Sequence, residues 1–181
     1  MGISLGVGLL IGLGVGARRL VYAGTEPLIE VARSVPPIML FPVLLVAFDF
    51  ADSAYVGTIV FGCTPVMVIT VARGMQALSR SKLEVLHLHR ARAAVRALAL
   101  VMEILPSVVL GARVTLSIAL VIAVVTEMVF TPRSGIALGA LAKEAEIAFD
   151  TPVLYAALVV IASVGYLANV TLRALEERLL G

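Results

Sequence analysis

The stretch SAYVGTIVFGCTPVMVITVA, Ser53–Ala72, carries no charged side chain and is bracketed by Asp52 and Arg73. As a helix it would be about 30 Å long at 1.5 Å per residue, the thickness of a bilayer's hydrocarbon core. Its apolar residues run on without the every-second-residue alternation of a barrel strand. It reads as a membrane-spanning helix, and the chain around it repeats the pattern. Of 181 residues, 61% are apolar and 14% charged, at a mean hydropathy of +1.09; an ordinary soluble domain is about a quarter charged. A single water-soluble core of this size cannot hide so much apolar surface. The composition excludes a soluble enzyme, a disordered segment and a nucleic-acid-binding domain.

Working outward, four more spans are expected: Met1–Ala17, Ser34–Phe48 with Pro36, Pro37 and Pro42 inside it, Leu105–Phe130 interrupted by Arg113 and Glu127, and Val153–Leu172. The predicted fold is all-α, a polytopic helical membrane protein of about five spans forming one domain over residues 1–181. The run before Arg18 and Arg19 has neither a basic flank nor a small-residue cleavage site, so it is not read as a signal peptide.

Basic residues set the orientation, because cytoplasmic loops retain Lys and Arg. Arg73, Arg80, Lys82, Arg90, Arg92 and Arg96 lie between the third and fourth spans, opposed by Glu84 and, next to the fourth span, Glu103. With that loop inside, Arg18, Arg19, Arg33, Arg173 and Arg178 are also inside, whereas only Arg133 and Lys143 lie outside. The C-terminus is then cytoplasmic and Met1 falls on the outer face, as in a chain lacking a first span.

Within the spans, Gly8, Gly12 and Gly16 repeat every four residues and line one helix face, where a neighbour can approach closely. No strand precedes them and no lysine follows in the place a phosphate loop needs. The prolines Pro36, Pro37, Pro42 and Pro65 free backbone carbonyls and point to bent or broken helices around a cavity. Arg113 and Glu127, fourteen residues apart, share a helix face but stand about 21 Å apart along it, so they do not pair. Each either snorkels to an interface or, for Glu127, faces a pathway near the outer side. The single cysteine, Cys63, sits in an apolar run and excludes an internal disulfide. No carboxylate pair, His/Cys cluster or metal-ligand spacing is present, so no catalytic or metal site is expected.

The segment of about 74–102 is long, basic and free of proline, with Ala91, Ala94, Val95, Leu98, Val101, Met102 and Leu105 at helical spacing. Such a helix lies on anionic membrane lipid or docks a cytoplasmic partner; composition does not separate the two.

Four segments in register resemble the permease subunit of bacterial ABC importers, in the nitrate/sulfonate/taurine/bicarbonate branch. EPLIEVARSVPPIMLFPVLLVAF (Glu26–Phe48) is similar to that branch's Arg-Ser-(Ile/Val)-Pro-Pro segment, and LPSVVLGAR (Leu105–Arg113) to its Leu-Pro…Gly-Leu-Arg. VVTEMV (Val124–Val129) resembles its Val-Ala-Glu-Met element. FDTPVLYAAL (Phe149–Leu158) and LRALEERLL (Leu172–Leu180) resemble its last span and tail.

The resemblance implies a six-span permease in the bacterial inner membrane. It forms the substrate pathway with a second permease, identical or different. Cytoplasmic ABC ATPase subunits bind the ATP, and an extracytoplasmic substrate-binding protein supplies solute. It also implies a coupling (EAA) loop at LEVLHLHRAR, with Leu83, Glu84, Leu86, His87, His89, Arg90 and Arg92 meeting the ATPase. This loop keeps Glu84 but carries Leu86, His87 and His89 where the family has small residues. The chain itself would hold no cofactor and catalyse no reaction. A secondary carrier should show inverted repeats, and none is visible; the other rival is a membrane assembly protein whose basic helix only binds lipid.

Overall fold

In hydrocarbon a backbone N–H or C=O finds its partner only within a helix or a closed barrel. The computed structural model, which describes residues 2–49, 51–77, 93–130 and 137–180, consists of helices joined by short turns, with no strand among those residues. In chain order the helices are α1 (Gly2–Gly16), α2 (Arg19–Ser34), a 3-10 turn (Pro37–Leu40), α3 (Phe41–Phe48), α4 (Ala51–Gln76), α5 (Ala93–Val129), α6 (Leu138–Ile147) and α7 (Thr151–Leu180). Stretches of α4 (Asp52–Gln76), α5 (Leu98–Val129) and α7 (Thr151–Ala174) are long and apolar enough to cross a membrane. The apolar α1 has 15 residues, about 22 Å of helix.

α4 is the central element. Its first neighbour, α1, runs parallel to it: Gly8 faces Thr64 and Met67, Gly12 faces Val68 and Val71, and Gly16 faces Ala72 and Met75. α5 packs antiparallel on another face, with Gly74 against Ser107, Gly111 against Met67 and Thr70, and Gly62 against Ile122. Cys63, Ala119 and Ile122 form the buried centre of that interface. The buried hydroxyls of Thr58 and Thr126 donate to carbonyls four residues earlier in their own helices, at 2.8 and 2.6 Å. A threonine in an apolar interior is commonly satisfied this way. α7 lies outermost, antiparallel to α5, with Gly165 against Leu120 and Asn169 Nδ2 donating to Ser117 Oγ at 3.2 Å.

The expected second span, Ser34–Phe48, is not one helix. The chain instead forms α2 over Arg19–Ser34, breaks at Val35–Pro36, and turns by 80° into the 3-10 turn and α3. Proline supplies no N–H and restricts the residue before it to extended backbone; Val35 is extended at ψ 119°. Because α1 and α4 run parallel, the broken α2–α3 segment carries the chain back between them. Its N-terminal half meets the Arg73 end of α4, and Phe41 meets Tyr55 near the other end.

Other boundaries also differ. α5 begins at Ala93, so residues 93–102 of the expected 74–102 loop are the first turns of the following helix. α6 is a helix that no hydropathy window selected. Among the described residues, two non-glycine residues adopt left-handed backbone, Asp49 (φ 56°) and Phe149 (φ 55°), a conformation costing an L-residue about 1–2 kcal/mol.

Candidate functional site

Three polar or small-residue constellations tie the helices around α4. The first is the α1 seam. Gly8, Gly12 and Gly16 are buried, and a β-carbon at any of them would stand 2.6–2.8 Å from a β-carbon of Met67, Val71 or Met75. The helices touch backbone to backbone, the geometry small residues permit. At its end the seam is closed by Gln76 Nε2 donating to the Gly16 carbonyl at 2.6 Å, which satisfies one of α1's terminal acceptors.

The second lies at the same end of the bundle. The Arg73 guanidinium reaches across to α2, donating from Nε to Tyr22 Oη at 3.3 Å and from Nη2 to Glu26 Oε1 at 3.4 Å. Glu30 Oε1 lies 3.8 Å from the same Nη2 and is also held by Arg33 at 3.0 Å. Tyr22 in turn donates to Glu26 at 2.7 Å. Tyr22, Glu26 and Glu30 follow each other at four-residue spacing, so they stack on one face of α2. Sequence reasoning missed this network, although that spacing was its signal. It fastens α2 to the last turn of α4, directly before residues 78–92.

The third is at the opposite end, where α3, α4, α5 and α6 meet. Phe41 stacks on Phe130 with ring centroids 4.4 Å apart and tilts against Tyr55 at 4.7 Å. The Tyr55 hydroxyl donates to the Phe130 carbonyl at the end of α5. Glu127 Oε2 accepts the Gly139 N–H at 3.0 Å. Gly139 sits in the first turn of α6, so a carboxylate on α5 caps the positive end of another helix. Only glycine fits there: a β-carbon on residue 139 would stand 2.7 Å from Glu127 Cβ, closer than carbon atoms pack.

These positions decide what the sequence-derived residues can do. Arg113 is half-buried on α5, with its carbonyl accepting the Ser117 hydroxyl at 3.3 Å. Arg113 and Glu127 stay on one helix, far apart, and are not brought together. Leu83, Glu84, Leu86, His87, His89, Arg90 and Arg92 lie outside the described residues. Between α1, α2, α3 and α4 there is also an almost wholly apolar cleft of about 630 Å³, lined by residues that include Ile11, Leu28, Leu44, Phe61 and Pro65.

Many of the side chains of α5 and α7 are turned away from the bundle. Leu98, Met102, Leu110, Val114, Val121, Val125 and Val129 are exposed along α5, and only 6% of the apolar window of α7 is buried. A chain built this way meets hydrocarbon or another apolar helix over most of its perimeter.

A family model for the binding-protein-dependent transport system inner membrane component matches residues 4–181. The chain belongs to this family. Among curated relatives, it is 25% identical over 173 residues to the taurine transport system permease protein TauC of Escherichia coli (strain K12), covering 95% of this chain and 62% of that protein. It is 26% identical over 181 residues to a probable ABC transporter permease of Brucella melitensis biotype 1, covering 98% of this chain and 72% of the relative. A putative aliphatic sulfonates transport permease protein, SsuC of Bacillus subtilis (strain 168), is 26% identical over 183 residues, with 98% and 64% covered. This permease-family chain thus spans less than two thirds of the taurine and sulfonate relatives' length. Its Arg73 network, glycine seam and Glu127 cap are the parts of an inner-membrane permease fold that hold α2, α1 and α6 to the central α4–α5 pair.

Proposed function

We propose that this chain is the transmembrane permease subunit of an ATP-driven ABC importer, forming the substrate pathway and coupling it to a cytoplasmic ATPase. The observation that carries the reading is the family match over residues 4–181. The architecture supports it physically. Residues 78–92, which include the coupling residues Leu83, Glu84, Leu86, His87, His89, Arg90 and Arg92, join the end of α4 to the start of α5. α4 and α5 are long helices packed antiparallel along their length. A push on the segment that joins them acts on both at once, and through the Arg73 network on α2. That is the mechanical requirement for converting ATPase closure into a two-state rearrangement of the spans.

In this reading two permeases enclose the pathway, the basic segment faces the cytoplasm, and the Glu127 end faces outward. ATP is bound by the partner subunit, and a binding protein delivers solute from outside. Two of the relatives above are named as a taurine and a putative aliphatic sulfonates transport permease, so an alkanesulfonate is the substrate class proposed. The test is co-expression with the remaining subunits, purification in mild detergent and reconstitution in liposomes. Recovery of an ATPase with this chain, and ATP-dependent uptake of a labelled alkanesulfonate, is the expected result. A chain that purifies alone in every nucleotide state would refute coupling. Uptake without ATP would instead support a secondary carrier.

A further inference from the structure

The apolar cleft between α1, α2, α3 and α4 is separate from the three constellations that tie the helices together. It runs along residues 57–68 of α4 and 7–15 of α1, about 16 and 12 Å of helix, with a volume of about 630 Å³. A further wall is the face of α2 that carries Thr25, Leu28, Ile29 and Ala32, spaced at three and four residues so that they form one stripe. Another face of α2, with Tyr22, Glu26 and Glu30, is drawn to Arg73. α2 is thus held to α4 through its polar side, and its apolar side lines the gap. Leu28 is 69% exposed and Ile11 47%, so the cleft is open to whatever surrounds the bundle.

The chemistry of the walls narrows what fills it. Thr25 and Thr64 are the polar side chains among its lining residues. The Thr25 hydroxyl donates to the Val21 carbonyl at 2.8 Å, and Thr64 Oγ1 is buried. An ordered water needs about two to four polar partners and a polar solute needs convergent ones; these walls supply neither, so an alkanesulfonate has no place there. A hydrocarbon chain requires none. At the end of the cleft beyond Val15, the turn from α1 to α2 presents Arg18 and Arg19, both exposed. Arg33, Arg73, Lys143 and Arg173 each pair with a carboxylate, whereas Arg18 and Arg19 have no ion pair among the described residues. Orientation alone asks for basic residues in this turn, but not that they stand unpaired at the mouth of an apolar cleft.

We propose that the cleft is a binding site for an anionic phospholipid, with an acyl chain lying against α1, α2 and α4 and the phosphate at Arg18 and Arg19. A basic pair at the end of a gap between membrane helices is complementary to such a headgroup, and the apolar walls are complementary to its tail. The lipid fills the gap that the Arg73 network bridges from one side only, and so braces α2 against the α1–α4 pair. The assignment rests on the fold and not on the importer reading.

The chain contains no tryptophan, so Phe61→Trp, in the cleft wall, gives a single fluorescent reporter in the whole chain. The protein is reconstituted in phosphatidylcholine liposomes that contain graded fractions of phosphatidylglycerol or phosphatidylcholine with brominated acyl chains, and tryptophan quenching is read. Phosphatidylglycerol should reach half-maximal quenching at a mole fraction at least about tenfold lower than phosphatidylcholine, because each arginine favours the anionic headgroup. Val121→Trp, at a position of α5 that is 62% exposed, reports the surrounding bilayer and should show no such preference. Arg18→Gln combined with Arg19→Gln should bring the two lipids level at Phe61→Trp, and raised salt should narrow the difference. Equal half-maximal fractions for the two lipids at Phe61→Trp overturn the proposal. So does an equal preference at Val121→Trp, which would mark only a general attraction of the chain for anionic lipid. An unquenched Phe61→Trp means that protein, a second copy or another segment, fills the cleft, and overturns it as well.

Discussion

Replacing Gly12 by alanine tests the α1–α4 seam within a single methyl group. A β-carbon on Gly12 would stand 2.8 Å from Val71 Cβ, 2.9 Å from the Val68 carbonyl oxygen and 3.1 Å from Val71 Cγ1. None of these is the free end of a flexible side chain, so α1 must lift by roughly half an ångström. Overpacking of this kind costs about 1–3 kcal/mol. Alanine also favours the helix over glycine by up to about 1 kcal/mol, which masks part of that cost. Gly14 supplies the correction, since a β-carbon there meets nothing within 4 Å. Gly14→Ala takes the propensity gain without the clash. The difference in unfolding free energy between the two variants should therefore be about 1–3 kcal/mol, roughly 5- to 150-fold in equilibrium constant. The assay is SDS titration of the purified protein in mixed micelles, followed by circular dichroism. If Gly12→Ala and Gly14→Ala agree within about 0.5 kcal/mol, the close approach of α1 and α4 is wrong.

Three further outcomes follow from the constellations at the two ends of α4. Glu127→Ala removes the acceptor of the Gly139 N–H and should destabilise the start of α6 by about 1–3 kcal/mol, with Glu127→Gln retaining part of it. Hydrogen exchange of the α6 amides reads this out, and unaltered exchange in Glu127→Ala would remove the cap from the account. Tyr55→Phe keeps the ring against Phe41 but loses the hydroxyl donated to Phe130, a loss of about 1 kcal/mol in the same SDS titration; a variant as stable as wild type contradicts it. Arg73→Glu sets like charges against Glu26 and Glu30 and should loosen α2 from α4, measured as a slower-forming or lost disulfide between cysteines placed across the two helices. Combining it with Glu26→Arg should restore the wild-type rate, and no recovery would mean that the pairing does not hold the helices.

Much of the fold is legible in one dimension because hydropathy and helix length are local properties. Charge-free runs such as Ser53–Ala72 identify the long helices wherever they pack, and four-residue spacing alone puts Gly8, Gly12 and Gly16 on one face. α2 escapes that reading because Glu26, Glu30 and Arg33 lower its hydropathy, and α6 because ten residues with Lys143, Glu144 and Glu146 fill no membrane-length window. The same holds for Glu127. Its isolation in an apolar run marks it as unusual, but the amide it accepts belongs to another helix, and no periodicity within α5 points there.

The order of residues suffices to establish a helical membrane chain, the positions of its long apolar helices and which of their faces are small. Those depend on the residues' own transfer energies and on a 3.6-residue turn. Three-dimensional packing was needed to learn that α1 runs parallel to α4, that the proline-broken segment between them makes the return, and that Arg73 and Glu127 hold neighbouring helices rather than each standing alone. Such pairings join residues 12 to 75 positions apart, and the energy that selects them exists only once both helices are in place.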